Sequence, residues 1–249
     1  MPIARCELCW VEGRNALKPD PIDDLLGKAA NRPPDDAALA AGVRRAQDAI
    51  LGDLRRVRPL GSVTRSALLF LIVFALAAMV AGVLLGPHGF HVLSVVDRAL
   101  IFATLLVVAV VASVASARSM RPAAGPERGS EAFLLAAIGF PLLFALLFRG
   151  YSTIHLVHEG IPCLVAGVCV ALPTGLLLLL LLRRGSVLDR SEAALACGTL
   201  AGLAGLAMLE IHCPNLKAIH VIVWHVAVVV VSAALAWVVA RFVSRSSVQ

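Results

Sequence analysis

The chain has 249 residues, 59% of them hydrophobic, with a mean hydropathy of +0.89 and a formal net charge of +6. Soluble domains run at about 45–50% apolar, so an excess of this size calls for lipid to cover it. The positive charge falls in loops and in the N-terminal segment, where membrane topology accounts for it, and no direct nucleic-acid role is read from it.

No secretory signal is visible: the first sixty residues contain no apolar core and mix Asp, Glu, Arg and Pro. The N-terminus is therefore expected in the cytoplasm, with the first membrane helix as an uncleaved anchor. Residues 1–34 read as mostly irregular. Cys6 and Cys9 form a lone CxxC, and no second pair or downstream His pair completes a zinc site there.

An amphipathic helix is expected over about 35–58, after Pro33 and Pro34 and capped by Asp35 or Asp36. Leu39, Val43, Ile50, Leu54 and Val57 give one apolar stripe, and Arg44, Arg45, Arg55 and Arg56 occupy much of the rest. Beside a membrane, such a helix either lies on anionic lipid or docks its stripe on a cytoplasmic partner.

Six stretches then approach the roughly 20 apolar helical residues that cross a bilayer. They are Ala67–Leu85, Ala99–Ala117, Ala132–Phe148, Ile161–Leu182, Ala193–Leu209 and Val221–Ala240, and none contains Asp, Glu, Lys or Arg. Pro141 and Pro173 fall inside the third and fourth, where neighbouring helices can satisfy the freed carbonyls. The fold class expected is an all-α integral membrane bundle of six helices over 63–249, behind a cytoplasmic segment over 1–62. Gly198, Gly202 and Gly205 in the fifth stretch have the small-residue spacing of close helix packing.

Orientation follows from the loops. One side carries Arg55, Arg56, Arg58, Arg65, Arg118, Arg121, Arg128, Arg183, Arg184, Arg190, Arg241 and Arg245. The other carries only Arg98, Arg149 and Lys217. This asymmetry predicts both termini in the cytoplasm of a bacterial inner membrane, with outward loops Gly86–Arg98, Arg149–Gly160 and Glu210–His220.

All seven histidines lie in or beside that outward half: His88, His91, His155, His158, His212, His220 and His225. Cys163 opens the fourth stretch and Cys213 closes the fifth, while Cys169 and Cys197 lie deeper as packing residues. Thiolate and imidazole are ligands of soft and borderline metals, and a thiol pair in an oxidising compartment also forms disulfides. The pair Cys163 and Cys213 is therefore a candidate functional thiol pair, with His212, His225, His220 and His158 as candidate metal ligands.

No phosphate-binding Gly-rich loop, GxSxG or HExxH occurs. No enzyme activity and no cofactor is expected. The uncharged cores argue against an ion-coupled carrier, although a small metal or solute transporter or channel is the alternative that the outward His and Cys cluster suggests.

From Ile161 onward the chain resembles the NrsF family of bacterial anti-sigma factors, negative regulators of extracytoplasmic-function sigma factors. The resemblance rests on Ile161-Pro162-Cys163, Pro173, Arg183-Arg184-Gly185, Gly198 to Gly205, His212-Cys213-Pro214 and Trp224-His225. The run Asp53-Leu54-Arg55-Arg56-Val57-Arg58-Pro59-Leu60 looks like the family's juxtamembrane signature, and the likeness covers about 48–242. It implies a six-helix membrane protein that holds a sigma factor through its cytoplasmic segment. It further implies that Cys163 and Cys213 serve the response to heavy-metal or oxidative stress, a heavy-metal ion being one signal. The stripe Leu39, Val43, Ile50, Leu54 and Val57 is then the expected sigma-factor contact. The chain departs from the family pattern in its longer soluble segment and its CxxC.

Overall fold

The computed structural model describes residues 36–53, 61–121, 129–185, 187 and 189–246. The chain divides after Arg58 into two units. In the first, helix α1 spans Asp36–Asp53. Val43 on it is 49% exposed. Leu39 and Ile50 lie on the same helix, whereas Leu54, Val57, Cys6 and Cys9 fall outside the described residues.

The second unit is all-helical among the described residues. Its long helices are α2 (Val63–Leu85), α4 (Val95–Ser119), α5 (Gly129–Leu147), α6 (Leu156–Leu182), α7 (Arg190–His212) and α9 (Val226–Ser246), with α3 (His88–Val92) a short turn of helix after α2. A three-residue helix α8 (Ala218–His220) and a π turn (Val221–His225) lead into α9. Among the described residues, six helical segments are long and apolar enough to cross a membrane. Helices of 19–27 residues are about 28–40 Å long at about 1.5 Å per residue, against a hydrocarbon core of about 30 Å.

The helices overrun the apolar stretches read from sequence, because hydropathy marks what lipid tolerates and not where backbone hydrogen bonding stops. Side-chain caps set several real ends. Ser62 Oγ accepts from the Arg65 N–H, Ser94 Oγ accepts from the Asp97 N–H, and Asp189 accepts from the N–H groups of Ser191 and Glu192. Two expectations change as a result. Helix α6 begins at Leu156, so Cys163 sits two turns in and does not open it. Helix α7 continues to His212, so Glu210 is a buried helical residue and not the start of a loop.

Helix α7 is the axis of the bundle. In its apolar window 89% of residues are buried, against 22–44% in the other five spans. Its small residues permit this. A methyl group on Gly202 would lie 2.5 Å from Val229 Cα of α9, and one on Gly198 would lie 2.8 Å from Ala233 Cα. A methyl on Gly205 would strike the Gly167 carbonyl of α6. The stripe read as a packing signal thus brings α7 against both α6 and α9 at backbone distance. Phe70, Ile101, Leu105, Phe140 and Phe144 fill the space on its other flank. Leucines and valines such as Leu76, Val83, Leu142, Leu146 and Leu176 stay exposed on the outside, as a lipid-facing surface requires.

Candidate functional site

The connections α2–α4, α5–α6 and α7–α8 meet at one end of the bundle. Gly89 lets α3 approach the Cys213 backbone, where a side chain would collide with the Cys213 carbonyl. His212 Nδ1 lies 3.1 Å from the Gly86 carbonyl, and the His88 and His212 rings meet edge to face at 5.7 Å. Glu159, in the first turn of α6, accepts from Asn215 Nδ2 at 2.9 Å and pairs with Lys217 at 3.6 Å. Arg98 donates to the carbonyls of Phe90 and Leu93 and lies over the Phe90 ring.

Beneath these loops is a compact group of side chains from α6, the end of α7, α8 and the π turn. Cys163 Sγ lies 3.7 Å from Cys213 Sγ, and both thiols are free. Cys213 Sγ lies 3.6 Å from His220 Nε2. With His225, these residues offer one ligand atom each, all within 4.8 Å of one another. Cys213, His220 and His225 are buried, and Cys163 is half-buried. His225 Nδ1 contacts Glu210 Oε1 at 2.7 Å, with both side chains 1% exposed. His225 Nε2 is buried and has no hydrogen-bond partner among the described residues. Cys213 stands one residue beyond α7, and its thiol is held above its usual pKa by the Cys163 contact and then by burial, with His220 and His225 opposing.

The π turn explains why two histidines five residues apart converge. In an α-helix, five residues advance about 500°, which leaves positions 220 and 225 about 140° apart. Hydrogen bonding from i to i+5 instead sets them nearly one above the other. Their rings accordingly meet edge to face at 5.4 Å. Gly160 in α6 makes room for the neighbouring Trp224 indole.

Of the residues singled out from sequence, Cys163, Cys213, His220 and His225 come together. His212 turns to Gly86 and His88 instead, and His158 is exposed on the first turn of α6. The sequence reading places Glu210 only at the start of an outward loop, and its role as the His225 partner goes unseen there. The available signal was its spacing: Glu210 and Cys213 are three residues apart, which shares one face at a helix end. No residue pattern announces the π turn.

At the opposite end, the Arg121 guanidinium donates to the Gly61 carbonyl, and Glu192 accepts from the Ser130 N–H at 2.8 Å. Between the two ends, α4 and α7 share a buried polar contact. Ser116 donates to the Ala112 carbonyl at 2.8 Å, and the Cys197 thiol lies 3.6 Å from Ser116 Oγ.

Among the described residues, five membrane-length helices around a sixth, small-residue axis, closed at one end by a buried thiol–imidazole–carboxylate group, define a multi-pass helical membrane protein. Residues 50–245 match the family described as NrsF, negative regulator of sigma F. The chain belongs to this family, and it is accordingly a negative regulator of a sigma factor, an anti-sigma factor acting in transcription regulation. Comparison with curated proteins and with solved structures gave no match.

Proposed function

We propose that this anti-sigma factor holds a sigma factor of the extracytoplasmic-function type at the bacterial inner membrane and releases it when a metal ion or an oxidant engages Cys163 and Cys213. The observation that carries the reading is the 3.7 Å approach of these two thiols, one from α6 and one at the end of the axial helix α7. The charge asymmetry of the loops supports an orientation with this end outward and both termini cytoplasmic. Residues 1–62 then present the sigma-binding surface, with the stripe Leu39, Val43, Ile50, Leu54 and Val57 in contact. The family match begins at residue 50, within α1, so it includes the last part of that stripe.

The bundle offers a route for coupling. A ligand or a covalent bond at the two thiols favours one spacing of α6 against α7. Helix α7 also packs on α2, where a methyl on Gly82 would lie 2.9 Å from Ile211 Cγ2. Helix α2 follows directly on the sigma-binding segment. Release requires only that the signal bind the two packings unequally. A preference of about 10⁴-fold, roughly 5.5 kcal/mol, moves a two-state equilibrium from one extreme to the other.

Two measurements test this. Transcription from a promoter of the cognate sigma factor rises with Cd2+ or peroxide in cells with the native chain, and stays at its basal level with Cys163→Ser/Cys213→Ser. Induction unchanged in the double variant refutes thiol sensing. The sigma factor also co-purifies with the full-length protein in detergent from unstressed cells, and its absence from such preparations refutes sequestration.

A further inference from the structure

We infer that Cys163, Cys213, His220 and His225 coordinate one borderline or soft divalent ion of the Zn2+ and Cd2+ class, in a closed tetrahedral Cys2His2 site, with Glu210 as the outer carboxylate that orients His225. The site deepens the sensor reading above and rests on it for its role in release; the coordination itself rests on geometry.

Three observations converge. The first is the donor set: two thiols and two imidazoles, with ligand atoms mutually within 4.8 Å, is the chemistry that such ions select. The second is spacing. Bonds of about 2.3 Å to sulfur and about 2.0 Å to nitrogen, placed tetrahedrally, separate two sulfurs by about 3.8 Å and a sulfur from a nitrogen by about 3.5 Å. The corresponding separations are 3.7 Å for Cys163 and Cys213 and 3.6 Å for Cys213 and His220. The third is the state of His225. Glu210 engages Nδ1 at 2.7 Å, which fixes the ring and leaves Nε2 for a metal, and Nε2 is buried without a hydrogen-bond partner among the described residues. A carboxylate behind a histidine is the usual outer arrangement of a zinc ligand. Four protein ligands leave no open position, so the site binds an ion and does not activate water. The half-buried Cys163 is the side from which an ion enters.

The test uses the full-length protein, reduced, stripped with a chelator and held in detergent, with Co2+ as the probe. The expected result is the intense visible absorption of tetrahedral Co2+ with thiolate-to-cobalt charge transfer, saturating at a single ion per chain and abolished by Zn2+. Glu210→Gln keeps that spectrum and weakens Zn2+ binding by about 10–100-fold, the usual cost of an outer partner. His220→Ala and His225→Ala weaken it further. Absence of the tetrahedral spectrum in the native chain overturns the proposal without reference to any variant. So does an undiminished spectrum and affinity in the His220→Ala/His225→Ala double variant. The sensor reading fails separately. If the double serine variant loses induction while native protein gives no tetrahedral spectrum, coordination falls and thiol sensing stands. If the spectrum is present but induction survives in the double serine variant, coordination stands and the sensor role falls.

Discussion

Glu210 and His225 face each other at 2.7 Å with 1% of each side chain exposed, at the rim of an apolar bundle. A buried carboxylate without its partner retains its desolvation cost, which puts the loss at about 1–3 kcal/mol when one side of such a hydrogen bond is removed. His225→Ala strands the carboxylate, so it lowers the melting temperature of the detergent-solubilised protein, and Glu210→Ala/His225→Ala recovers part of the loss. A double variant less stable than either single one would contradict this coupling. At the same scale, the two thiols were legible in the sequence as a pair on one side, since each closes or begins a hydrophobic run at the same membrane face. That His220 and His225 join them, and that His212 does not, was not legible. Five-residue spacing points away from a shared face unless the helix widens, and only the packed chain shows that it does.

Helix α7 shows what an element contributes beyond its residues. Its glycines permit backbone-to-backbone approach to α6 and α9, so an added methyl there is a collision and not a filled gap. Gly205→Ala, which meets the Gly167 carbonyl, destabilises the protein by about 1–3 kcal/mol. Gly139→Ala in α5 meets nothing within 4 Å, and it is neutral or stabilising by up to about 1 kcal/mol. Thermal unfolding of the two variants side by side, followed by circular dichroism, measures the contrast. Gly205→Ala also alters the α6–α7 spacing, so its induction by Cd2+ departs from that of the native chain. Helix α1 makes the opposite case. Val43 is 49% exposed on it, and Val43→Glu reduces sigma factor co-purified from unstressed cells by about tenfold or more, roughly 1.4 kcal/mol, with the protein's membrane level unchanged. Full recovery of the sigma factor with that variant would move the contact elsewhere.

For the whole molecule, six crossings return the chain to the side from which α2 started, so a single labelled loop reports the orientation. Ser152→Cys, between α5 and α6, gains reaction with a membrane-impermeant maleimide in intact spheroplasts, whereas Ser186→Cys, between α6 and α7, gains it only after lysis. The reverse pattern would turn the thiol group toward the cytoplasm and undo the sensor reading. The sequence by itself determined the number of spans, because hydrophobic runs long enough to cross lipid are a one-dimensional property. Its arginine distribution carried an expectation of orientation that the labelling tests, and its Gly198–Gly202–Gly205 stripe marked a face for close helix packing. Only the tertiary structure decided which helix is the axis and which polar groups leave the loops for the interior. It moved Cys163 two turns into α6, buried Glu210 and set it against His225. Those outcomes depend on where α6, α7 and the π turn cross, and a crossing point is fixed by side chains from several segments at once.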